Sequence, residues 1–393
     1  MALDLTREAQ AAAPEIVETR RYLHRHPELS FEEYRTAELI AAELRRAGYE
    51  VTEGVGKTGV VGLIAGDRPG KTVLVRADID ALPVQEVAGR PYGSETPDVM
   101  HACGHDAHVA IALQTAKLVA RHRGELAGQV KFAFQPAEET IGGAEAMIEA
   151  GVLENPRPDI VIGLHVWSSL PAGVVGVKSG PLMASADEIR ITIRGRSAHG
   201  AMPHQGVDPI VVAAHVITAL QTIVSREVSP LEPACVTIGR IQGGTAYNII
   251  PDQVELAGTV RAFDPALRQY LIDRVEALVA AVCAAQRAEY TFRPLFGCPA
   301  VRSDDQVAEL VRAAAADVVG PDRVVIPDQT MGGDDVAFFL DAVPGCYFFL
   351  GGADPKVGVG PSHHRGDFDI DESCLPLGTA VLAGTVFRYL AGA

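Results

Sequence analysis

The stretch MHACGHDAHVA, residues 100 to 110, gathers three histidines, a cysteine and an aspartate into eleven positions. The whole chain has twelve histidines, so the clustering raises the question of what chemistry thiol, imidazole and carboxylate would share. Metal ligation uses all three. Cys103 and His105 are two residues apart, which on one helix would turn them about 200° away from each other. Gly104 between them permits a sharp backbone. The spacing therefore predicts a turn at Cys103 and His105 that leads into a helix, with Asp106 in its first turn. The plainer reading is a helix start that carries surface histidines.

Three further segments carry ligand types. FQPAEET puts adjacent Glu138 and Glu139 after a predicted strand, and adjacent side chains diverge toward different partners. A metal-using hydrolase needs that division: one carboxylate for the ion, and a free one to take a proton from water. IGLHVW places His165 at the tip of an apolar strand, where the crevice of an open α/β sheet lies. PSHHRGDFDIDE brings His363 and His364 near the end of the chain. Taken singly, these segments also fit solvent-facing acids and ordinary core histidines. Together they supply Cys, His, Glu, His and His at the ends of elements of one α/β pattern. Sulfur, nitrogen and oxygen donors in combination suit zinc, and also manganese, cobalt or nickel.

The elements that must position these residues follow from periodicity. Residues 5 to 48 carry two helical patterns. The second, SFEEYRTAELIAAELRRAGYEV, has Ser30 and Glu33 in capping-box spacing and ends at Gly48 after two arginines. GVVGLIAG, KTVLVRADID, GQVKFAFQ and PDIVIGLHVW read as strands. They alternate with helical patterns in HDAHVAIALQTAKLVARHR and GGAEAMIEAG, which argues for an α/β layered sheet. From ADEIRITIRG onward the order becomes β-α-β-β-α-β over roughly 110 residues, the ferredoxin-like signature of a small domain. The α/β pattern then resumes in VAELVRAAAADVVG, GCYFFLGG and a last helix from near Pro376. The expected fold is α/β: a large catalytic domain from residues 1–184 and 298–393, with a mixed sheet flanked by helices. A ferredoxin-like lid or dimerisation domain, 185–297, is inserted into it.

Length and composition bound the function. A chain of 393 residues is expected to form two domains. The net charge of −16 disfavours nucleic acid and anionic membrane surfaces as partners. The six cysteines, at 103, 235, 283, 298, 346 and 374, form no CxxC pair, which predicts free thiols in a reduced, cytoplasmic setting. No apolar signal core opens the chain, and no run is read as approaching the roughly 20 apolar residues of a membrane span.

With these residues in place, the sequence resembles the di-metal metallopeptidases of peptidase family M20. Within them it is most similar to the amidohydrolase branch of hippurate hydrolases, N-acyl amino acid amidohydrolases and plant auxin-conjugate hydrolases. The resemblance rests on LHRHPELSFEEYRTAELIAAEL, RADIDALPVQE, MHACGHDAHVA, FAFQPAEE, GLHVW, GRSAHGAMPHQGVDPI and TAYNIIPD, in family order between Leu23 and Asp252, and extends from about residue 16 to residue 382. It implies two divalent metal ions per subunit, with Cys103 bridging them and His105, Glu139, His165 and a C-terminal histidine completing the site. It favours His364 for that last ligand, four residues before Phe368, with His363 as the alternative. It implies Glu138 as general base, His199 as an oxyanion donor reaching a partner subunit's site, and Asn248 and Arg261 as binders of the substrate carboxylate. Asp78, Asp80 and Asp106 are expected to hold the ligands from behind. The implied reaction is hydrolysis of an N-acyl amino acid by a homodimer or homotetramer. Alternatives are a dipeptidase, a deacetylase of a biosynthetic intermediate, and a silent metal- or amino-acid-binding protein. The chain departs from the family in MGGDDVAFF, with Asp334 and Val336 where relatives carry Glu and Phe, and in HHRGDF, which lacks the usual proline.

Overall fold

The strands that read as unbroken apolar runs do so because both of their faces are covered. In the computed structural model, which describes residues 3–354, 356 and 360–391, alternate residues of each central strand enter different cores. Val73, Val75, Phe132, Phe134, Ile162 and Phe348 pack in a large cluster with helices Ala13–Arg25, Tyr34–Arg46, His105–Arg121, Asp305–Val319 and Leu375–Leu390. Their neighbours Leu74, Ala133 and Val161 enter a smaller cluster with Ala144, Met147 and Phe339, from helices Gly143–Glu149 and Val336–Ala342. A strand buried on both faces has no polar side to show.

The chain divides into two units. The first comprises Met1–Leu182, Arg302–Asp328 and Asp335–Ala393, and the second Met183–Val301 and Gln329–Asp334. The expected division gives 1–184 and 298–393 to the first unit; 183–184, 298–301 and 329–334 group with the second instead. Gln329–Asp334 groups with the second because the Ala184 N–H bonds the carbonyls of Thr330 and Gly332.

The first unit holds an eight-stranded mixed sheet in the order Glu50–Val55, Gly59–Ala65, Ala127–Gln135, Arg68–Asp78, Ile160–Pro171, Gly345–Ala353, Val175–Gly176, Val324–Val325. Ala127–Gln135, Arg68–Asp78, Ile160–Pro171 and Gly345–Ala353 run parallel, so their C-terminal ends share one edge of the sheet. Asp78 pairs with Gln135, and Arg76 with Gly163, two residues before His165. That register brings the segments after Asp78 and Gln135 to the level of His165.

Three expectations change. Residues 5–48 form three helices, Leu5–Ala11, Ala13–Arg25 and Tyr34–Arg46, because Pro14 starts a new first turn. The Ser30–Glu33 capping box does not form. Ser30 donates to Asp80, Glu33 turns into the interior, and Glu28 instead bonds the Arg35 and Thr36 amides. Among the described residues, two helices, Pro209–Glu227 and Glu372–Leu390, are long and apolar enough by composition to cross a membrane. Most of the second is buried in the first unit's core, which accounts for its hydropathy.

The second unit is a four-stranded antiparallel sheet ordered Ala234–Gly243, Gln253–Ala262, Asp187–Arg194, Glu289–Leu295. Its two long helices start where Asp-Pro appears. Asp208 and Asp264 cap Pro209–Thr222 and Pro265–Ala285 by accepting from first-turn amides. Ile189, Ile191 and Ile193 point inward with Val212, Val216, Leu271 and Val275. This is the ferredoxin-like βαββαβ arrangement.

Candidate metal and catalytic site

Gly104 adopts a left-handed φ of 88° and ends the turn before helix His105–Arg121. A Cβ there would stand 2.4 Å from Val166 Cγ2, so only glycine fits. The turn releases Cys103 from the helix and lets it face the same way as His105. Among the described residues, two groups of donor atoms share Cys103, each with its members within 4.8 Å of one another: Cys103, His105 and His165, and Cys103, Glu139 and His364. Cys103 belongs to both. Its Sγ is 3.5 Å from His165 Nε2, and His364 Nε2 is 3.3 Å from Glu139 Oε2.

Backbone contacts aim the imidazoles. His105 Nδ1 faces the Asp80 carbonyl at 3.0 Å and His165 Nδ1 faces the Val166 carbonyl at 2.6 Å. A carbonyl only accepts, so both Nδ1 atoms carry the proton and both Nε2 lone pairs point into the site. His364 is held in a left-handed conformation, φ 65°, with its N–H on the Ala102 carbonyl at 2.8 Å. Its neighbour His363 does not join the donor sets. His363 Nε2 donates to Val166 O at 3.0 Å, and burial pushes its pKa down to about 4.

The chemistry of the donors fits a cation. His105 Nε2 and Glu139 Oε1 are buried without a hydrogen-bond partner and lie 3.8 Å apart. Burial alone would lower the His105 pKa. Asp78, Asp80 and Glu139 overcome it and raise the pKa to about 10, so this position attracts positive charge. Burial raises the Glu139 carboxyl to about 7, with His105 opposing and Asp80 and Asp78 adding to the rise. Burial holds His165 well below the ordinary imidazole value. Glu138 Oε2 is 3.9 Å from His105 Nε2, and the Glu138, Glu139 and His105 donor atoms lie within 4.8 Å of one another, so the second carboxylate stands directly beside the sets that share Cys103.

Behind the donors, the expected Asp78 and Asp106 are joined by His108, Arg20, His24 and Arg76, whose roles no sequence motif singles out. His108 donates from Nδ1 to Asp78 and accepts the Val166 N–H at Nε2, 2.9 Å away. The Val166 peptide thus links His108, His165 and His363. Asp106 accepts from Arg20 Nε at 3.2 Å and His24 Nδ1 at 2.8 Å. Arg20, itself fully buried, also reaches Asp369 at 2.8 Å and Glu372 at 3.0 Å. This network joins the first turn of the His105 helix to the segment that follows His364. A charged residue inside an apolar pattern, such as Arg76 in TVLVRADID, was the available signal. Arg76 bonds Gln135 at 2.7 Å, Asp78 at 2.6 Å and Asp335 at 3.1 Å.

His199, Asn248 and Arg261 belong to the second unit. Ala198–His199 pairs with Ile249–Ile250, and the Gly200 N–H bonds the Asn248 carbonyl at 2.8 Å. His199 and Asn248 therefore stand side by side. Arg261 sits on the strand Gln253–Ala262, opposite Cys235.

The model of peptidase family M20/M25/M40 matches residues 74–388. An N-acyl-L-amino acid amidohydrolase of Geobacillus stearothermophilus is 44% identical over 293 residues, 74% of this chain and 79% of that protein. Thermostable carboxypeptidase 2 of Saccharolobus solfataricus is 40% identical over 378 residues, 95% of each chain. Among solved structures, a dinuclear metal binding peptidase from the M20 family of Bacillus subtilis superposes with a TM-score of 0.85 at 36% identity, covering 97% of this chain and 99% of that one.

Proposed function

Since the chain belongs to peptidase family M20/M25/M40, we propose that it is a metal-dependent amidohydrolase that splits N-acyl amino acids into a carboxylic acid and a free amino acid. The observation that carries this reading is the pair of donor sets sharing Cys103, with Glu138 bordering them. Two divalent ions, of zinc, manganese, nickel or cobalt, held by Cys103, His105, Glu139, His165 and His364, would polarise the scissile carbonyl and acidify water. Glu138 takes the proton of the attacking water and passes it to the leaving nitrogen. Asp80 and the Val166 carbonyl keep His105 and His165 in the tautomers that ligation needs. His199 donates to the developing oxyanion, while Asn248 and Arg261 take the substrate carboxylate.

The second unit is proposed to pair with a twin. Helix Pro209–Thr222 leaves Ile210 and Val211 exposed, and Ala234–Gly243 is an open sheet edge with Ile241 exposed. A second copy would cover both and deliver its His199 to this chain's metals. The enzyme is further proposed to work in the cytoplasm.

The test is a panel of N-benzoyl, N-acetyl and long-chain N-acyl amino acids, with dipeptides alongside, after reconstitution with each metal. Release of free amino acid from acyl donors is expected. Cleavage of dipeptides alone would favour the peptidase reading, which the carboxypeptidase relative supports. No cleavage with any metal would leave a binding protein.

A further inference from the structure

We propose that Glu33 is a positioning residue for Glu138, a role that rests on the hydrolytic reading above. Ala137, immediately before Glu138, is buried and adopts a left-handed φ of 51°. An L-residue with a Cβ avoids that region unless its surroundings over-determine it. Here they do. Glu33 Oε1 accepts the Ala137 N–H at 2.9 Å and the Phe31 N–H at 2.9 Å, and Thr58 donates its hydroxyl to Oε2. Phe31 is itself left-handed, with φ 63°, so one fully buried carboxylate ties two strained residues together. On the other side of Glu138, the Glu139 N–H bonds Asp80 Oδ2 at 3.1 Å, and Ser30 donates to the same oxygen at 2.7 Å. The Ala137 carbonyl accepts the Gly143 N–H at 3.2 Å.

The amides on both sides of Glu138 are therefore pinned by carboxylates from other segments, Glu33 and Asp80. The Glu33 oxygens are taken up by Phe31, Thr58 and Ala137, so it acts through the backbone and not on substrate. A general base must sit within hydrogen-bond reach of the proton it takes, and a displacement of about 1 Å costs on the order of 10²-fold in rate. The Glu33 anchor prevents that displacement.

The test compares two substitutions. Glu33→Met fills similar space but accepts no hydrogen bond. Glu33→Gln keeps Oε1 for both amides and turns its amide toward Thr58, whose hydroxyl then accepts. Glu33→Met is expected to lower kcat by roughly 10- to 100-fold, with KM and bound metal unchanged, and to speed hydrogen exchange of the amides in 136–143. Glu33→Gln is expected to recover most of the rate and the protection. Wild-type kcat in Glu33→Met, rate loss that tracks metal loss, or no recovery in Glu33→Gln would each overturn the proposal. If Glu33→Met does not fold, Glu33→Asp, a methylene too short to span both amides, takes its place under the same criteria. If the wild type hydrolyses no acyl donor, the hydrolytic reading falls and hydrogen exchange alone decides the anchor, with unchanged protection of 136–143 counting against it.

Discussion

Glu138 and Glu139 are adjacent in sequence, and both carboxylates come close to His105. Glu139 Oε2 meets His364 Nε2 at 3.3 Å, while Glu138 Oε2 is 3.9 Å from His105 Nε2. Glu138→Gln is therefore expected to keep the metals and lose on the order of 10²- to 10⁴-fold in kcat. Metal analysis beside turnover checks it, and wild-type turnover would remove Glu138 from the mechanism. Cys103 is common to both donor sets, so Cys103→Ser is expected to weaken retention of both ions, because a hydroxyl is a far poorer ligand than a thiolate. Two ions still tightly held after dialysis would exclude bridging. The remaining thiols are expected to tolerate Ser without metal loss. Burial pushes Cys346 and Cys374 up to about 12, which leaves them as apolar packing groups.

At the scale of elements, helix Ala13–Arg25 works as a strut for the site through one side chain. Arg20 is buried among Asp106, Asp369 and Glu372. Removing one member of a buried ion network leaves uncompensated charge, so Arg20→Met is expected to destabilise the first unit by about 3–5 kcal/mol, read from denaturant unfolding. A shift too small to measure would show that the carboxylates find other partners. Asp106 also gives the stability a pH dependence. Burial would raise its carboxyl pKa, but the Arg20 guanidinium and His24 hold it far below the ordinary 3.8. A carboxyl depressed in the folded state contributes stability that is present above its unfolded pKa and is lost as pH falls through and below that value. The unfolding midpoint is expected to drop from about pH 5 downward, and less steeply in Asp106→Asn. Equal slopes in the two proteins would mean that other carboxyls carry the acid response.

For the whole molecule, the proposed twin pairing predicts complementation. Glu138→Gln and His199→Ala chains, each nearly inactive alone, are mixed and allowed to exchange subunits. If His199 serves the partner's metals, a mixed dimer has one site with both lesions and one with neither. Random exchange makes half the dimers mixed, so about a quarter of all sites recover. No recovery despite demonstrated exchange would mean that His199 acts within its own chain or not at all. A monomer by solution mass would remove the pairing altogether.

What the sequence determined by itself is local. The Asp-Pro starts of Pro209–Thr222 and Pro265–Ala285, the alternation of Ile189, Ile191 and Ile193, and the glycine turn between Cys103 and His105 all depend on neighbours a few residues away. The donor types were legible for the same reason, since Cys, His and Glu announce their chemistry wherever they stand. Partners were not legible, because they lie far along the chain. Ser30 and Glu33 match a capping box perfectly well as a local pattern. Folding instead spends Ser30 on Asp80, 50 positions on, and Glu33 on the Ala137 amide, 104 positions on. Arg20 meets Asp106 across 86 positions. Which of His363 and His364 faces Glu139 depends on which one the Val166 carbonyl captures. Such choices belong to tertiary structure because a buried polar group must find its partner in the packed interior, and packing alone decides which groups arrive there.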